Sequence, residues 1–242
     1  MICRKIFPSE IIKKNYARQK TMKSKIKILV FLCLAISVMF SLVNCRQQNG
    51  VCDCPPSKFE NGIYYSQTYE DYILAHVFQD VADGFYIDVG ANDPNIFNVT
   101  RFFYERGWHG INIEPNAELY LQLRSFRQRD INYNVGIATT EGRMIFYQQA
   151  YKSDALMPLS TFDKEIVDIQ KKNGILFKEI VVPVTTLNNL LGKISVREIT
   201  FITIDVEGFE KQVLESIDLA RYKPVVLCIE ASRPGTGDLS YM

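Results

Sequence analysis

The feature that most constrains this chain is a regular alternation, from residue 66 onward, of short apolar runs with amphipathic stretches. The apolar runs are rich in Ile, Val and Phe and are bounded by Gly, Pro, Asp or Asn, a composition typical of buried β-strands. The predicted strands are Phe85–Gly90, Gly110–Pro115, Ile131–Ala138, Met144–Gln148, Ile180–Val184, Ile199–Val206 and Val225–Glu230.

Between these runs lie segments whose apolar residues recur at helical spacing. The predicted helices are Tyr69–Val81, Thr100–Arg106, Ala117–Phe126, Phe162–Lys172, Leu187–Leu191 and Phe209–Ile217. Repeated strand–helix–strand units predict an α/β fold, a doubly wound parallel sheet with helices on both faces. We expect Met144–Gln148 to be an edge-like strand of this sheet.

Acidic residues end three of the predicted strands. The three motifs are Asp88-Val89-Gly90-Ala91-Asn92, Glu114-Pro115 and Asp205-Val206-Glu207-Gly208. In doubly wound sheets, ligands bind beyond the carboxyl ends of the strands, near the point where the strand order reverses. The sequence therefore predicts a ligand site at these three strand ends.

The first two strand ends favour an adenosine ligand. Gly90 permits a sharp turn and a close approach of the backbone to a ligand. Glu114 follows Gly90 by 24 residues, a spacing at which a carboxylate can bind the two hydroxyls of a ribose. Because the turn has one Gly and is followed by Asp93, it is not a phosphate cradle, so S-adenosylmethionine fits better than a dinucleotide. The alternative is that Asp88 and Gly90 form only a strand-to-helix turn.

The third strand end places two carboxylates close together. In a strand, residues two apart point to the same face, so we expect the side chains of Asp205 and Glu207 to lie side by side. Such a pair can hold a proton, a divalent cation or a substrate hydroxyl. The alternative for Glu207 is to cap the helix that begins at Phe209, since acids favour helix N-termini.

The stretch from Phe85 to Glu230 resembles the FkbM-type methyltransferases, S-adenosylmethionine-dependent enzymes with a Rossmann-like fold. The resemblance extends over several short sequence motifs in a fixed order rather than over a single motif. These motifs are Ser66-Gln67 with Glu70-Asp71, Tyr86 to Pro94, Phe103 to Pro115, Asp130 to Asn134, and Ile204-Asp205-Val206-Glu207-Gly208-Phe209-Glu210.

The resemblance implies a role for each strand-end residue. Asp88, Gly90 and Asn92 would lie near the methionine part of the cofactor and Glu114 at the ribose, and Asp205 and Glu207 would be the catalytic residues facing the reaction. The family's usual acceptors are hydroxyls of saccharides or natural products. The implied cofactor-binding residues are Asp88, Gly90, Ala91, Asn92 and Glu114.

Two departures from the family pattern qualify this resemblance. Asn98-Val99-Thr100 replaces the usual Ser-Asn-Thr and is also a glycosylation sequon. The resemblance also implies a further helix and an antiparallel strand pair after Ala231, which we expect to be missing. Val225–Glu230 would then be an exposed sheet edge, which a partner could cover.

The N-terminal region differs sharply from the rest of the chain. Residues 1–27 contain nine basic residues and one acid, Glu10, so this segment has a net charge of +8, and the rest of the chain, whose total net charge is +1, has a net charge of −7. A basic flank followed by the apolar run 28–43 predicts a signal anchor or a cleaved signal, with the following domain outside the cytoplasm. The ending at Cys45 resembles a lipoprotein cleavage site, and Met22 is an alternative start.

The predicted organisation is a leader with a hydrophobic segment (1–45), a linker (46–65) and the methyltransferase-like domain (66–242). The linker contains Cys52 and Cys54, and two cysteines alone do not make a zinc site. We assign no metal ligands, because His76 and His109 are the only two histidines. The acidic balance after residue 27 argues against a nucleic-acid partner.

These observations favour an S-adenosylmethionine-dependent O-methyltransferase acting on a hydroxyl of a saccharide or related small molecule. The alternative is a membrane-tethered, non-catalytic binding or trafficking module that keeps the fold. The compartment favours this alternative, because S-adenosylmethionine is made in the cytosol and the leader would place the domain elsewhere. A dinucleotide oxidoreductase is excluded by the missing second and third glycines of its phosphate-binding turn.

Overall fold

A computed structural model describes residues 27–31, 63–150, 159–195 and 198–230, with only the backbone described for 27–31. Nine strands and seven helices alternate along these residues. In chain order they are β1 (Lys27–Phe31), α1 (Glu70–Val77), β2 (Phe85–Val89), α2 (Arg101–Tyr104), β3 (His109–Ile113), α3 (Ala117–Phe126), β4 (Ile131–Tyr133), β5 (Gly136–Ile137), β6 (Gly142–Gln149), α4 (Lys164–Lys172), β7 (Phe177–Thr185), α5 (Leu187–Gly192), β8 (Phe201–Ile204), α6 (Glu210–Glu215), α7 (Leu219–Tyr222) and β9 (Val226–Glu230).

The main sheet confirms the predicted α/β, doubly wound architecture. Its strand order is β1-β9-β8-β2-β3-β4, and every pair is parallel. The chain proceeds outward from β2 through β3 to β4 and, on the other side, from β8 to β9. The strand order therefore reverses between β2 and β8, which is where a ligand crevice is expected.

Alternate side chains of the main sheet pack against helices on its two faces. One face presents residues such as Ile87, Ile111 and Ile202, which pack with Leu187 of α5 and Val213 of α6. On the other face, an aromatic cluster joins the sheet to α1 and α2, and its members include Tyr86, Phe102, Phe103, Trp108 and Phe201. Burial on both faces explains why the strands are continuous apolar runs.

Polar side chains fix where several helices begin. The side chain of Asn116 accepts a hydrogen bond from the Glu118 backbone at the start of α3, and Asp163 does the same for Glu165 at α4. Thr186 caps α5 in this way. These residues satisfy backbone N–H groups that have no partner within the helix.

A second, smaller sheet corrects part of the sequence interpretation. Ile131–Ala138 was predicted as one strand, but β4 belongs to the main sheet and β5 to a three-stranded sheet with order β5-β7-β6. The break follows Asn134, whose amide donates to the carbonyls of Glu114 and Pro115. Met144–Gln148 and Ile180–Val184 were predicted in the main sheet; instead they form the antiparallel β6–β7 pair.

The expectation of an exposed edge at Val225–Glu230 is wrong, because β1 pairs with β9 in parallel along its whole length. Parallel pairing with β1 satisfies the backbone groups that an edge would leave open. Residues 1–26 and 32–62, which make up the rest of the leader and most of the linker, and all residues after 230 lie outside the described residues. None of the described helices is long and apolar enough to cross a membrane.

Candidate active site

A cavity of about 410 Å³ opens at the carboxyl ends of β2, β3, β8 and β9. Its volume lies within the range of roughly 300–1,000 Å³ that is usual for small-molecule sites. The cavity lies at the reversal of the strand order. All seven site residues predicted from the sequence line it, namely Asp88, Gly90, Ala91, Asn92, Glu114, Asp205 and Glu207.

Gly90 is required by the close approach of two strand ends. Its φ is +84°, and a Cβ at this position would lie 1.9 Å from the backbone oxygen of Asp205. The Gly90 N–H donates to the Ile113 carbonyl at 3.0 Å. The turn after β2 is therefore pressed against β8 on one side and bonded to β3 on the other, which only glycine allows.

Glu114 links this turn to the loop that follows β3. Its carboxylate accepts hydrogen bonds from the backbone N–H of Asn92 at 2.8 Å and of Asn116 at 2.8 Å. Asn92 adopts a left-handed conformation, with φ of 48°. Since a carboxylate offers about four lone-pair positions, two remain for a ligand such as a ribose.

The two buried carboxyls of this region hold protons unusually tightly. Burial raises the pKa of Asp88 to about 6, against the hydrogen bond from Thr100 and the charge of Arg127. Burial also raises the pKa of Glu114 to about 7, although the N–H groups of Asn116 and Asn92 oppose the shift. A cationic ligand would favour the ionised form of both groups.

The loop between β2 and α2 is held by Asn98, which the sequence marks only as part of a departure from the family pattern and a sequon, and by Arg127, which the sequence does not single out. The Asn98 amide donates to the Ala91 carbonyl at 2.9 Å, and its oxygen accepts from Arg127 at 2.8 Å and from Thr100 at 3.0 Å. The Thr100 hydroxyl also lies 2.8 Å from Asp88, and because it has one proton it donates to one of these two oxygens at a time. Because Asn98 is 2% exposed, the folded protein cannot carry a glycan on it.

Two further motifs of the family pattern contain residues with structural roles, Asp71 and Asp130. Asp71 is fully buried and accepts hydrogen bonds from Ser66, which orders the segment before α1 so that Gln67 and Glu70 line the cavity. Asp130 accepts from the Tyr86 hydroxyl at 2.6 Å and from the Gly110 backbone at 2.8 Å. It thereby ties the segment before β4 to β2 and β3.

The predicted pair of Asp205 and Glu207 is brought together, and Glu230 from the end of β9 joins it. One carboxylate oxygen from each of the three residues lies within 4.8 Å of the others. The convergence does not follow from strand alternation, because β8 ends at Ile204 and Glu207 has a φ of 55°. Glu230 also ends a predicted strand, Val225–Glu230, but the sequence alone does not bring it to this pair, since only the strand order places β9 beside β8.

Glu207 does not cap the following helix, which was the alternative interpretation. Helix α6 begins at Glu210, and the carboxylate of this buried residue accepts from the N–H groups of Val206 at 3.0 Å and Gly208 at 3.1 Å. Glu210 thus satisfies the turn. The Glu207 carboxylate is left at the cavity.

The crowding of these three carboxyls favours proton binding by Asp205 and Glu207. Asp205 lines the cavity and is partly accessible to solvent through it. Removal of its carboxyl from bulk water, together with the negative charges of Glu230 and Glu207, raises the pKa of Asp205 well above the usual range. Burial and then the charge of Glu230 likewise raise the pKa of Glu207. Such a cluster can accept a proton from a hydroxyl, and its oxygens could also hold a divalent cation.

A family model described as "Methyltransferase FkbM domain" matches residues 88–240, more than half of the chain. The matched span begins at Asp88 and includes every strand end that contributes to the cavity. No curated protein and no solved structure matches the chain.

Proposed function

The chain belongs to the FkbM methyltransferase domain family, and from this membership we propose that it transfers the methyl group of S-adenosylmethionine to a hydroxyl of a saccharide or related small molecule. The observation that carries this proposal is the convergence of Asp88, Glu114, Asp205 and Glu207 from three separate strand ends in one cavity at the sheet reversal.

The chemistry of the donor set fits S-adenosylmethionine. Its sulfonium and ammonium groups are cationic, and the described residues that line the cavity include Asp and Glu but no Lys, Arg or His. Glu114 retains lone pairs for the ribose hydroxyls while its position is fixed by Asn92 and Asn116. When bound, this cofactor supplies an electrophilic methyl group on sulfur.

The residues at β8 would prepare the acceptor. A saccharide hydroxyl is a weak nucleophile until its proton is removed, so a carboxylate within reach is needed. We assign this role to Asp205 and Glu207, whose raised pKa values make their carboxylates stronger proton acceptors than free carboxylates. Asp205 or Glu207 would take the hydroxyl proton as the acceptor oxygen receives the methyl group, which the cofactor would supply while its sulfur keeps the bonding electron pair. The remaining acceleration comes from orientation.

The test is transfer of labelled methyl groups from S-adenosylmethionine to a panel of mono- and disaccharides. We expect Asp205→Asn and Glu207→Gln each to lower turnover by at least about 100-fold, in line with loss of general base catalysis. Binding of the cofactor should change little. The matched control is Glu118→Gln, which alters an exposed acid on α3 outside the cavity.

The same experiment separates the alternative function. A membrane-tethered module that keeps the fold without chemistry would neither bind S-adenosylmethionine nor transfer its methyl group. Transfer that survives both substitutions unchanged would contradict the roles given to Asp205 and Glu207. Absence of cofactor binding by the folded full-length chain would contradict the proposed function itself.

A further inference from the structure

Three phenylalanines form a continuous wall of the cavity, and two of them, Phe146 and Phe162, lie outside the motifs shared with the family. Phe146 lies on β6, Phe162 precedes α4, and Phe209 follows β8. Ring centroids of Phe146 and Phe162 are 4.9 Å apart, and those of Phe162 and Phe209 are 5.5 Å apart. We call these three residues the phenylalanine wall.

The phenylalanine wall is fixed beside the catalytic carboxyls. The Thr161 hydroxyl, fully buried, donates to the backbone carbonyl of Glu207 at 2.8 Å. Gly208 packs so tightly on Ile166 of α4 that a Cβ would lie 2.0 Å from that side chain. Phe162 and Glu207 are therefore held in one rigid arrangement, which is the condition for selecting a substrate rather than adapting to many.

The rest of the cavity is strongly acidic. Six carboxyl residues line it and, within the described ranges, no Lys, Arg or His does. Within the described residues, an acceptor with its own carboxylate or phosphate would meet no cationic side chain in this cluster, which costs free energy in a site of low effective dielectric constant. The six are Glu70, Asp88, Glu114, Asp205, Glu207 and Glu230.

We propose that the acceptor is an uncharged saccharide ring, whose apolar C–H face packs on the phenylalanine wall while a hydroxyl points to Asp205 and Glu207. The ring planes of Phe146 and Phe162 are tilted by 50° and those of Phe162 and Phe209 by 43°, so the wall is an angled aromatic surface. Such a surface suits the apolar face, and the carboxyls suit the polar edge of the same sugar ring. Uronic acids and sugar phosphates are excluded as acceptors. This inference rests on the proposed function and names its substrate class.

The test uses two sugars that differ by one charge, methyl β-D-galactopyranoside and the corresponding uronate. Each is titrated into the full-length protein, with and without saturating S-adenosylhomocysteine, and affinities are measured by ligand-observed NMR. We expect the neutral glycoside to bind at least about tenfold more tightly than the uronate, because only the uronate brings a like charge to the cluster. Equal affinity, tighter binding of the uronate, or binding of neither sugar overturns the inference.

A second measurement examines the wall itself. Phe162→Leu keeps an apolar side chain but removes the flat ring, and we expect it to weaken the galactoside at least about threefold while the affinity for S-adenosylhomocysteine stays within about twofold. Phe126→Leu, an exposed position on α3 outside the cavity, is the control. An unchanged galactoside affinity in Phe162→Leu contradicts the role of the wall. A galactoside preference without any binding of S-adenosylhomocysteine would overturn the proposed function, and with it the acceptor role of the sugar, and would leave only a site for an uncharged sugar.

Discussion

The two sides of the cavity are built in different ways. The side formed by the ends of β2 and β3 comes from one stretch of chain, residues 88–116, and is held by hydrogen bonds to backbone groups. The other side gathers β6, the residues before α4 and the turn after β8, and is held by aromatic packing and the Thr161 hydroxyl. The first side is local in sequence and polar, whereas the second is assembled by tertiary packing.

This difference predicts that damage on the first side acts on cofactor binding and stability, and damage on the second side acts on turnover. The largest effect is expected for Gly90→Ala. A Cβ there meets the Asp205 carbonyl at 1.9 Å and the residue keeps a φ of +84°, so we expect unfolding to become easier by more than about 3 kcal/mol. Urea unfolding measures this change.

Gly107→Ala is the matched control for Gly90→Ala. Gly107 has a φ of +95°, but a Cβ there would meet no atom within 4 Å. Only the cost of the left-handed conformation remains, about 1–2 kcal/mol. If both substitutions cost the same, the contact between the β2 turn and β8 has no special importance.

The next largest effect is a pH dependence of stability that originates at Glu114. Its pKa is raised from 4.5 to about 7 by burial, so the folded protein binds the proton more tightly than the unfolded chain. Stability of the unliganded protein should therefore fall as the pH rises from about 4.5 to about 7, by about 1–3 kcal/mol from this group. Asp88 contributes in the same direction up to about pH 6.

Glu114→Gln should make this part of the profile less steep, and Glu118→Gln should leave it as it is. The remaining slope comes from Asp88, Asp205 and Glu207, whose raised pKa values act in the same direction. The measurement is urea unfolding at several pH values without cofactor. Affinity for S-adenosylmethionine should change in the opposite direction, because a cationic ligand prefers ionised carboxylates. Stability that rises through this pH window in the wild-type protein and falls in Glu114→Gln would contradict the assignment.

The smallest effect is expected on the second side of the cavity. Thr161→Val keeps the shape of the side chain but removes the hydroxyl that donates to Glu207 and accepts from the Asp163 backbone. We expect turnover to fall about tenfold, a cost of about 1.4 kcal/mol, while cofactor affinity is unchanged. Thr140→Val, at an exposed position, serves as control. A loss of cofactor affinity as large as the loss of turnover would mean that the two sides are not separable.

The same contrast explains how much of the site could be predicted from the sequence. Asp88, Gly90, Glu114, Asp205 and Glu207 each follow an apolar run, and parallel strands bring their carboxyl ends to one edge. Glu230 joins the site only because β9 neighbours β8, and strand order cannot be deduced from local pattern.

The second sheet was harder to predict for a physical reason. The apolar pattern of residues 131–138 is continuous, and nothing in it signals that Asn134 bonds to the Glu114 and Pro115 carbonyls and ends the pairing with β3. Likewise, Arg127 reads as a surface cation in the sequence, yet it is 2% exposed and donates to Pro94 and Asn98. Such contacts depend on distant residues that a sequence pattern does not connect.

The central claim is that the cavity binds S-adenosylmethionine through the β2 and β3 ends. Isothermal titration of the folded full-length chain with S-adenosylmethionine tests it most directly. We expect saturable binding at one site. Glu114→Ala should weaken the affinity for S-adenosylmethionine at least about tenfold, since hydrogen bonds to charged groups contribute about 1.5–3 kcal/mol. No binding by the wild-type protein, or equal binding by Glu114→Ala, would contradict it.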